Sequence, residues 1–251
     1  MAELIRIAMW SGPRNISTAM MRSFENRPDT VVEDEPFYAH YLVKTGVDHP
    51  YRIETIESQE NDWDKVSHRL VSEIPNGKTV WYQKHMGQHN VEGCDLSWTK
   101  KLVNCFLIRD PKEVISSFSK KFKLTSSDQL GFTQQLQLFE KLKNEMGQIP
   151  IVINSEDVLM NPRKTLSILC EKIGIPFMDE MLTWPLGPRK SDGVWAKHWY
   201  QNVEASTGFM SFSEKQIEVS NKYSDILNEC MDAYRLLEKY SIKHRLDDVF
   251  L

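Results

Sequence analysis

Ser11-Gly12-Pro13-Arg14-Asn15-Ile16-Ser17-Thr18 joins an apolar run, residues 4–10, to a segment patterned as a helix. A helix N-terminus presents unpaired N–H groups and the positive end of its dipole, so a phosphate or sulfate group is stable there. Arg14, Ser17 and Thr18 would add side-chain donors, while Pro13, Asn15 and Ile16 shape the turn. Ser17 reads equally as a simple cap on its own helix. The loop is not a Walker A sequence, because the second Gly and the Lys of G-x-x-x-x-G-K-[ST] are both missing. Two more stretches carry cations. Arg109 leaves the end of an apolar strand in residues 106–118, and Ser117 follows two helical turns later, so the pair could clamp a second phosphate. Arg189 and Lys190 lie on a Gly-containing loop, residues 187–200, whose backbone amides could also approach an anion. For proton transfer, a neutral His suits pH 7, and His85, next to Lys84 at a strand end, is the first candidate. Glu35, at the end of another strand, is the alternative base. His85 and His89 could share a zinc ion at i, i+4 on a helix, but Gly87 intervenes, no H-E-x-x-H glutamate is present and no third ligand is evident.

These residues must be positioned by the elements around them. Short β-branched or apolar runs at 5–10, 30–33, 79–83, 102–108 and 151–154 alternate with helical patterns at 17–25, 63–74, 111–118, 132–146, 162–173 and 213–240. That alternation predicts an α/β chain with a parallel sheet covered by helices on both faces. The last helix is the clearest, with Ile217, Tyr223, Leu227, Met231, Tyr234 and Leu237 at helical spacing behind the cap candidate Ser213. Residues 183–212 have weak periodicity and read as a long functional loop.

Composition narrows the classes. The 251 residues carry a net charge of -4, which offers no global attraction to nucleic acid or anionic membrane, so an anion site must be local. No signal sequence and no run of eighteen apolar residues is evident, which predicts a soluble, cytoplasmic chain. Cys94, Cys105, Cys170 and Cys230 are widely spaced, which suits four reduced thiols better than a disulfide frame or a zinc site.

Taken together, the three cationic stretches resemble the sulfotransferases that use 3′-phosphoadenosine 5′-phosphosulfate (PAPS). Residues 13–18 look like the family's P-[KR]-S-G-[ST]-[ST] loop around the 5′-phosphosulfate, with Ile16 where the family usually has Gly. Arg109 and Ser117 have the Arg-to-Ser spacing of eight that binds the 3′-phosphate. Residues 189–197 are similar to the late R-K-G-x-x-G-D-W-K loop that closes over the nucleotide, which assigns Arg189 and Lys190 to it. Ser155-Glu156-Asp157 with Asn161-Pro162 resembles Y-E-D…N-P, with Ser155 replacing Tyr. Gln83-Lys84-His85 falls near the K-x-H segment, and Glu35-Pro36 resembles the E-P pair of carbohydrate-type members, where a carboxylate serves as base.

The resemblance implies a P-loop-like three-layer α/β/α fold with a central mostly parallel sheet, as a single domain over residues 1–251. It implies PAPS as co-substrate, 3′-phosphoadenosine 5′-phosphate (PAP) as product, no required metal, and a monomer or homodimer. The acceptor would be a small molecule offering a hydroxyl or an amine, enclosed by loops at 36–62, 85–100 and 119–131. Sulfuryl transfer resembles phosphoryl transfer, so catalysis is positioning plus charge stabilisation, with Arg14 neutralising charge on the bridging oxygen. A β-branched residue resists positive φ, so Ile16 predicts an ordinary loop backbone or a looser anion site. Two other functions fit parts of the pattern. One is a protein that binds PAP or PAPS without chemistry; the other is a P-loop kinase or nucleotide hydrolase, against which the missing Walker Lys speaks.

Overall fold

The computed structural model describes residues 3–213 and 216–242. In chain order its elements are β1 (Ile5–Ser11), α1 (Ser17–Glu25), β2 (Thr30–Asp34), α2 (Tyr38–Thr45), α3 (Arg52–Ser58), α4 (Trp63–Leu70), β3 (Val80–Met86), β4 (Val103–Ile108), α5 (Pro111–Ser119), α6 (Phe132–Asn144), β5 (Ile151–Asn154), α7 (Ser155–Met160), α8 (Pro162–Ile173), α9 (Ala196–Trp199), α10 (Gln201–Glu204) and α11 (Ser224–Glu238). The five strands form one sheet in the order β2-β3-β1-β4-β5. Every pairing is parallel, so all five strands end on the same edge.

Successive strand side chains point to opposite faces, and β1 shows how that divides the core. Ile5, Ile7 and Met9 join a cluster with Met20 and Phe24 of α1, Leu42 of α2 and Leu166 and Leu169 of α8. Ala8 and Trp10 join the opposite cluster with Val66 of α4, Ile115 of α5, Leu138 of α6 and Leu237 of α11. Both faces are therefore covered, giving the three layers expected of a buried parallel sheet.

All five expected strands are present, with β3 running three residues further than the sequence pattern suggests, through Met86. The helix expected over 63–74 stops at Leu70; Ile74, which precedes Pro75, is extended at φ -70 and ψ 126, as the residue before a proline prefers. The helix expected over 213–240 begins only at Ser224, because Ser220 is extended and a 3-10 turn occupies Asn221–Tyr223. Residues 214 and 215 of that expectation lie outside the described residues. The segment 36–62, expected as loop, contains α2 and α3, helices of 8 and 7 residues that are too short to show a clear period. The four cysteines are free thiols, with Cys105, Cys170 and Cys230 buried. No described helix is long and apolar enough to cross a membrane.

Gly12, the first residue past β1, is required by space. A β-carbon there would collide with the carbonyl oxygen of Leu130 and lie 3.6 Å from the Gln135 amide nitrogen. The turn at Ser127–Leu130 thus rests directly on the end of the central strand. Gly12→Ala should lower unfolding stability by about 1–3 kcal/mol through overpacking. Denaturant titration measures this, and a loss within error would show that the turn yields without cost.

Candidate active site

The parallel sheet brings the ends of β1, β2, β3 and β4 to one edge, where ligands of open α/β sheets bind. A cavity of about 220 Å³ opens there. Its wall includes Pro13, Arg14, Asn15, Ile16, Ser17 and Thr18 after β1, Glu35 after β2, Lys84 and Met86 of β3, and Arg109 and Ser117 around α5. Residues from four separate stretches of sequence therefore face one space.

The loop after β1 is strained in a way that opens the helix behind it. Arg14 has φ 61 and Ile16 has φ 36, so two non-glycine residues out of three are left-handed. Ile16 thus adopts the backbone that its β-branched side chain resists, contrary to the ordinary loop expected from its residue type. Each such residue costs about 1–2 kcal/mol, a strain sustained here by the surrounding packing. Ile16 is also the N-cap of α1 and no side chain caps this helix, so Ser17 is its first helical residue rather than its cap. Asp62, Asp110, Asn154 and Asn161 cap α4, α5, α7 and α8, while α2, α3, α6, α9, α10 and α11 share with α1 the absence of a side-chain cap. The first turn of α1, Ser17 to Ala19, lines the cavity and its N–H groups have no side-chain cap, so they could serve an anion there. Buried Asn15 pins the loop to β4 by donating its amide to the Leu107 carbonyl at 2.5 Å.

Arg14 and Arg109 meet at this end of the cavity. Arg14 donates from Nε to the Ser117 hydroxyl at 2.9 Å, and Arg109 donates from Nη1 to the Arg14 carbonyl at 2.8 Å. Arg109 is also paired with Glu113, whereas no carboxylate pairs with Arg14 among the described residues. Burial lowers the pKa of the Arg14 guanidinium and the neighbouring Arg109 lowers it further. Two adjoining cations with one carboxylate between them form a pocket whose charge an incoming anion would balance.

A second charged cluster lies across the cavity at the end of β2. The Lys84 ammonium, 1% exposed, donates to Asp34 at 2.9 Å, to Glu35 at 2.5 Å and to the Tyr200 hydroxyl at 2.7 Å. Burial alone would favour neutral Lys84, but Asp34 and then Glu35 reverse this and hold its pKa well above the ordinary value. Burial raises the pKa of the Glu35 carboxyl; Lys84 opposes the rise, Asp34 reinforces it, and the net direction is upward. His89 lies with Nε2 3.9 Å from Glu35 and its ring stacked against both Tyr38 and Tyr41, each at 4.8 Å. Burial depresses the His89 imidazole pKa well below its ordinary value, so it is neutral.

His85, the first candidate base, is not brought to the cavity. On β3 its side chain points opposite to that of Lys84 and packs against Trp10 at 4.3 Å, within the aromatic core that includes Phe37 and Trp98. It is 1% exposed, and burial followed by the Lys84 charge pushes its pKa down to about 3. A K-x-H segment would place Lys and His on one strand face, and Met86 occupies that second position here, lining the cavity.

Arg189 and Lys190 are also absent from the cavity wall. Arg189 turns back onto its own loop, donating to the carbonyls of Gly187 at 3.1 Å and Pro188 at 3.0 Å, and Lys190 is exposed. The residues after them anchor the loop instead: Asp192 pairs with buried Arg22 at 2.6 Å, and the Gly193 N–H donates to Asp34 at 3.1 Å. Trp195 is buried beside Tyr38. The later part of the 183–212 segment does reach the cavity, through Trp199, Tyr200 and Val203 around the short helices α9 and α10. Tyr200, Tyr38 and His49 line the site without any signal in their own sequence spacing, because each arrives through a tertiary contact; His89, which spacing pointed to only as a zinc partner of His85, lines it as well. The His85–His89 pair does not lie on a helix, and no group of three His, Cys, Asp or Glu residues able to hold a metal occurs among the described residues.

Comparison with known proteins bears on the fold and the family. Among solved structures, a sulfotransferase domain from the curacin biosynthetic pathway superposes with a TM-score of 0.52 at 14% identity, covering 92% of this chain and 98% of that one. Mouse sulfotransferase SULT7A1 complexed with PAP superposes with a TM-score of 0.51 at 15% identity, covering 96% and 90%. At such identities the likeness concerns the fold. Branched-chain-amino-acid aminotransferase-like proteins 2 and 1 of Arabidopsis thaliana are 34% and 36% identical over 95% and 97% of this chain, which spans only 42% and 43% of their length. The sulfotransferase domain family matches residues 5–240, nearly the whole chain, and the chain belongs to that family.

Proposed function

We propose that this sulfotransferase moves a sulfuryl group from PAPS to a hydroxyl, or an amine, of a small-molecule acceptor. The observation that carries the reading is the strained Arg14–Ile16 turn, which opens an uncapped α1 onto the same cavity as Arg109, Ser117 and Glu35. The donor supplies an activated sulfuryl group on a phosphate leaving group. Arg14 and the first-turn N–H groups of α1 would hold the charge at its reacting end, with Ser17 and Thr18 adding hydroxyl donors. Arg109 and Ser117 would hold a second phosphate. Glu35, whose pKa burial raises, would take the acceptor's proton, and Lys84 would keep its carboxylate oriented. All the cations this scheme needs are side chains, so it calls for no metal. The same reading treats the chain as one domain acting in the cytoplasm as a monomer or homodimer.

A binding-only role is the second reading, favoured by Met86 where a K-x-H segment has its His. PAP stabilisation without any turnover of PAPS would select it.

Thermal unfolding with PAP, AMP or ATP-Mg at equal concentration tests the donor. PAP at about 100 times its dissociation constant adds about 2.7 kcal/mol, raising Tm by about 5 to 11 °C in a chain of this size. AMP should shift it far less, and Arg109→Ala should weaken PAP much more than AMP; equal losses would remove Arg109 from the 3′-phosphate.

Glu35→Gln should lower kcat by about 10²- to 10⁴-fold, the usual contribution of a general base. His85→Gln should leave the pH dependence of kcat/KM unchanged, since His85 does not face the cavity. Only ionised Glu35 can accept a proton, so activity should fall as pH drops through its raised pKa, above the ordinary carboxylate range. A steady-state pH profile in which that acidic limb survives Glu35→Gln would assign the base elsewhere.

A further inference from the structure

The Lys84 ammonium has three N–H donors, and three oxygens take them: Asp34, Glu35 and the phenolic oxygen of Tyr200. The Tyr200 proton, in turn, is directed at Asp34, whose two carboxylate oxygens both lie 2.8 Å away. The indole of Trp195 donates to the same phenolic oxygen at 3.2 Å, and Glu35 lies 3.5 Å from it. Tyr200 is thus a buried hydroxyl at the junction of α9 and α10, reached by two carboxylates, an ammonium and an indole.

We propose that Tyr200 is a positioning residue for the transfer reaction: its hydroxyl fixes how Lys84 divides its hydrogen bonds between Asp34 and Glu35, and so holds the Glu35 carboxylate ready at the cavity wall. The inference rests on the reading of Glu35 as the base. Sheet geometry explains why such a residue is needed. Asp34 and Glu35 are consecutive, and without a third partner a single lysine could swing wholly to Asp34, leaving Glu35 buried with no donor. Glu35 has φ 45, a left-handed backbone that turns its side chain away from the strand alternation and toward Lys84. Tyr200, brought in by the segment after Trp195, completes the lysine's coordination. The groups facing Glu35 from every neighbouring element are Lys84 of β3, Asp34 of β2, Tyr38 of α2, His89 of the turn after β3, and Tyr200. His49 is one bond further out, on the Tyr38 hydroxyl at 2.9 Å.

The placement has a second consequence. Tyr200 belongs to the segment that Asp192 and Gly193 anchor to Arg22 and Asp34, and whose Trp199 and Val203 line the cavity. The proton affinity of the base is thereby tied to the docking of the late loop, the part of the wall contributed from furthest along the chain.

The test reads Glu35 directly. The ¹³C-carboxyl NMR signal that is missing from Glu35→Gln is titrated in the wild-type protein, in Tyr200→Phe, and in protein carrying 3-fluorotyrosine at position 200. Removing the hydroxyl strips Asp34 and, at 3.5 Å, Glu35 of a donor and draws Lys84 toward Asp34, which outweighs the acceptor that Lys84 loses and leaves Glu35 less well solvated. The Glu35 midpoint should rise by about one pH unit, and the acidic limb of kcat/KM should rise with it. The fluorinated phenol keeps ring and hydroxyl but is a stronger donor and a weaker acceptor, so both changes lower the Glu35 midpoint; it decides the matter even where the Phe variant does not fold. Midpoints that do not move in the folded variants, or that move in the opposite directions, overturn the positioning role. Turnover of PAPS by the wild-type protein is measured in parallel, and its absence would count against the transferase reading without touching the titration.

Discussion

A lysine ammonium withdrawn from water persists only if every donor finds an acceptor, and Lys84 imposes that condition on the whole cavity edge. Its position on the third strand, next to the end of the second, brings Asp34 and Glu35 onto it from one side. The late segment must then cross the opening of the sheet to deliver Tyr200 from the other. Deleting one partner of such a buried set costs about 3–5 kcal/mol, far more than a surface pair is worth. The segment from Asp192 to Val203 is held against the sheet by this need and by the Arg22–Asp192 pair, more than by its own short helices.

The other side of the cavity follows a complementary logic. There the chain tolerates left-handed Arg14 and Ile16, leaves α1 without a cap and sets two guanidiniums close together. Each of these is unfavourable to the fold by itself, and the missing cap and the close guanidiniums are features that an anion bound there would offset. Stability and function therefore pull in opposite directions at the turn after β1 and in the same direction at Lys84. The cavity joins a cationic end, Arg14 and Arg109, to an end where the Asp34 and Glu35 carboxylates meet the Lys84 ammonium.

Much of the architecture was legible because parallel sheets are buried on both faces. Runs such as Ile5–Ser11 and Val103–Ile108 stand out as apolar, and the amphipathic patterns between them mark the covering helices. The loop after β1 and the Arg109–Ser117 spacing were legible for a similar reason, since a strand-to-helix turn keeps its chemistry in consecutive residues or on one helix face. What eluded the sequence was side-chain direction and partnership. His85 and Lys84 are neighbours on a strand, yet alternation sends one into the aromatic core and the other to the cavity. Arg189 and Lys190 occupy a promising position in the late loop, but Arg189 satisfies its donors on nearby carbonyls while Asp192 and Gly193 make the long-range contacts.

By itself, then, the sequence determined the α/β class, the strand segments, the strand-to-helix turn after β1 and the placing of Arg109 and Ser117 around one helix, because each depends on local period, residue type and spacing. Only the tertiary structure decided which titratable groups share a cavity with that turn. The face on which a strand residue emerges, the left-handed bend at Glu35 and the approach of Tyr200 from 116 positions beyond Lys84 are set by packing between distant segments, and no local pattern encodes them.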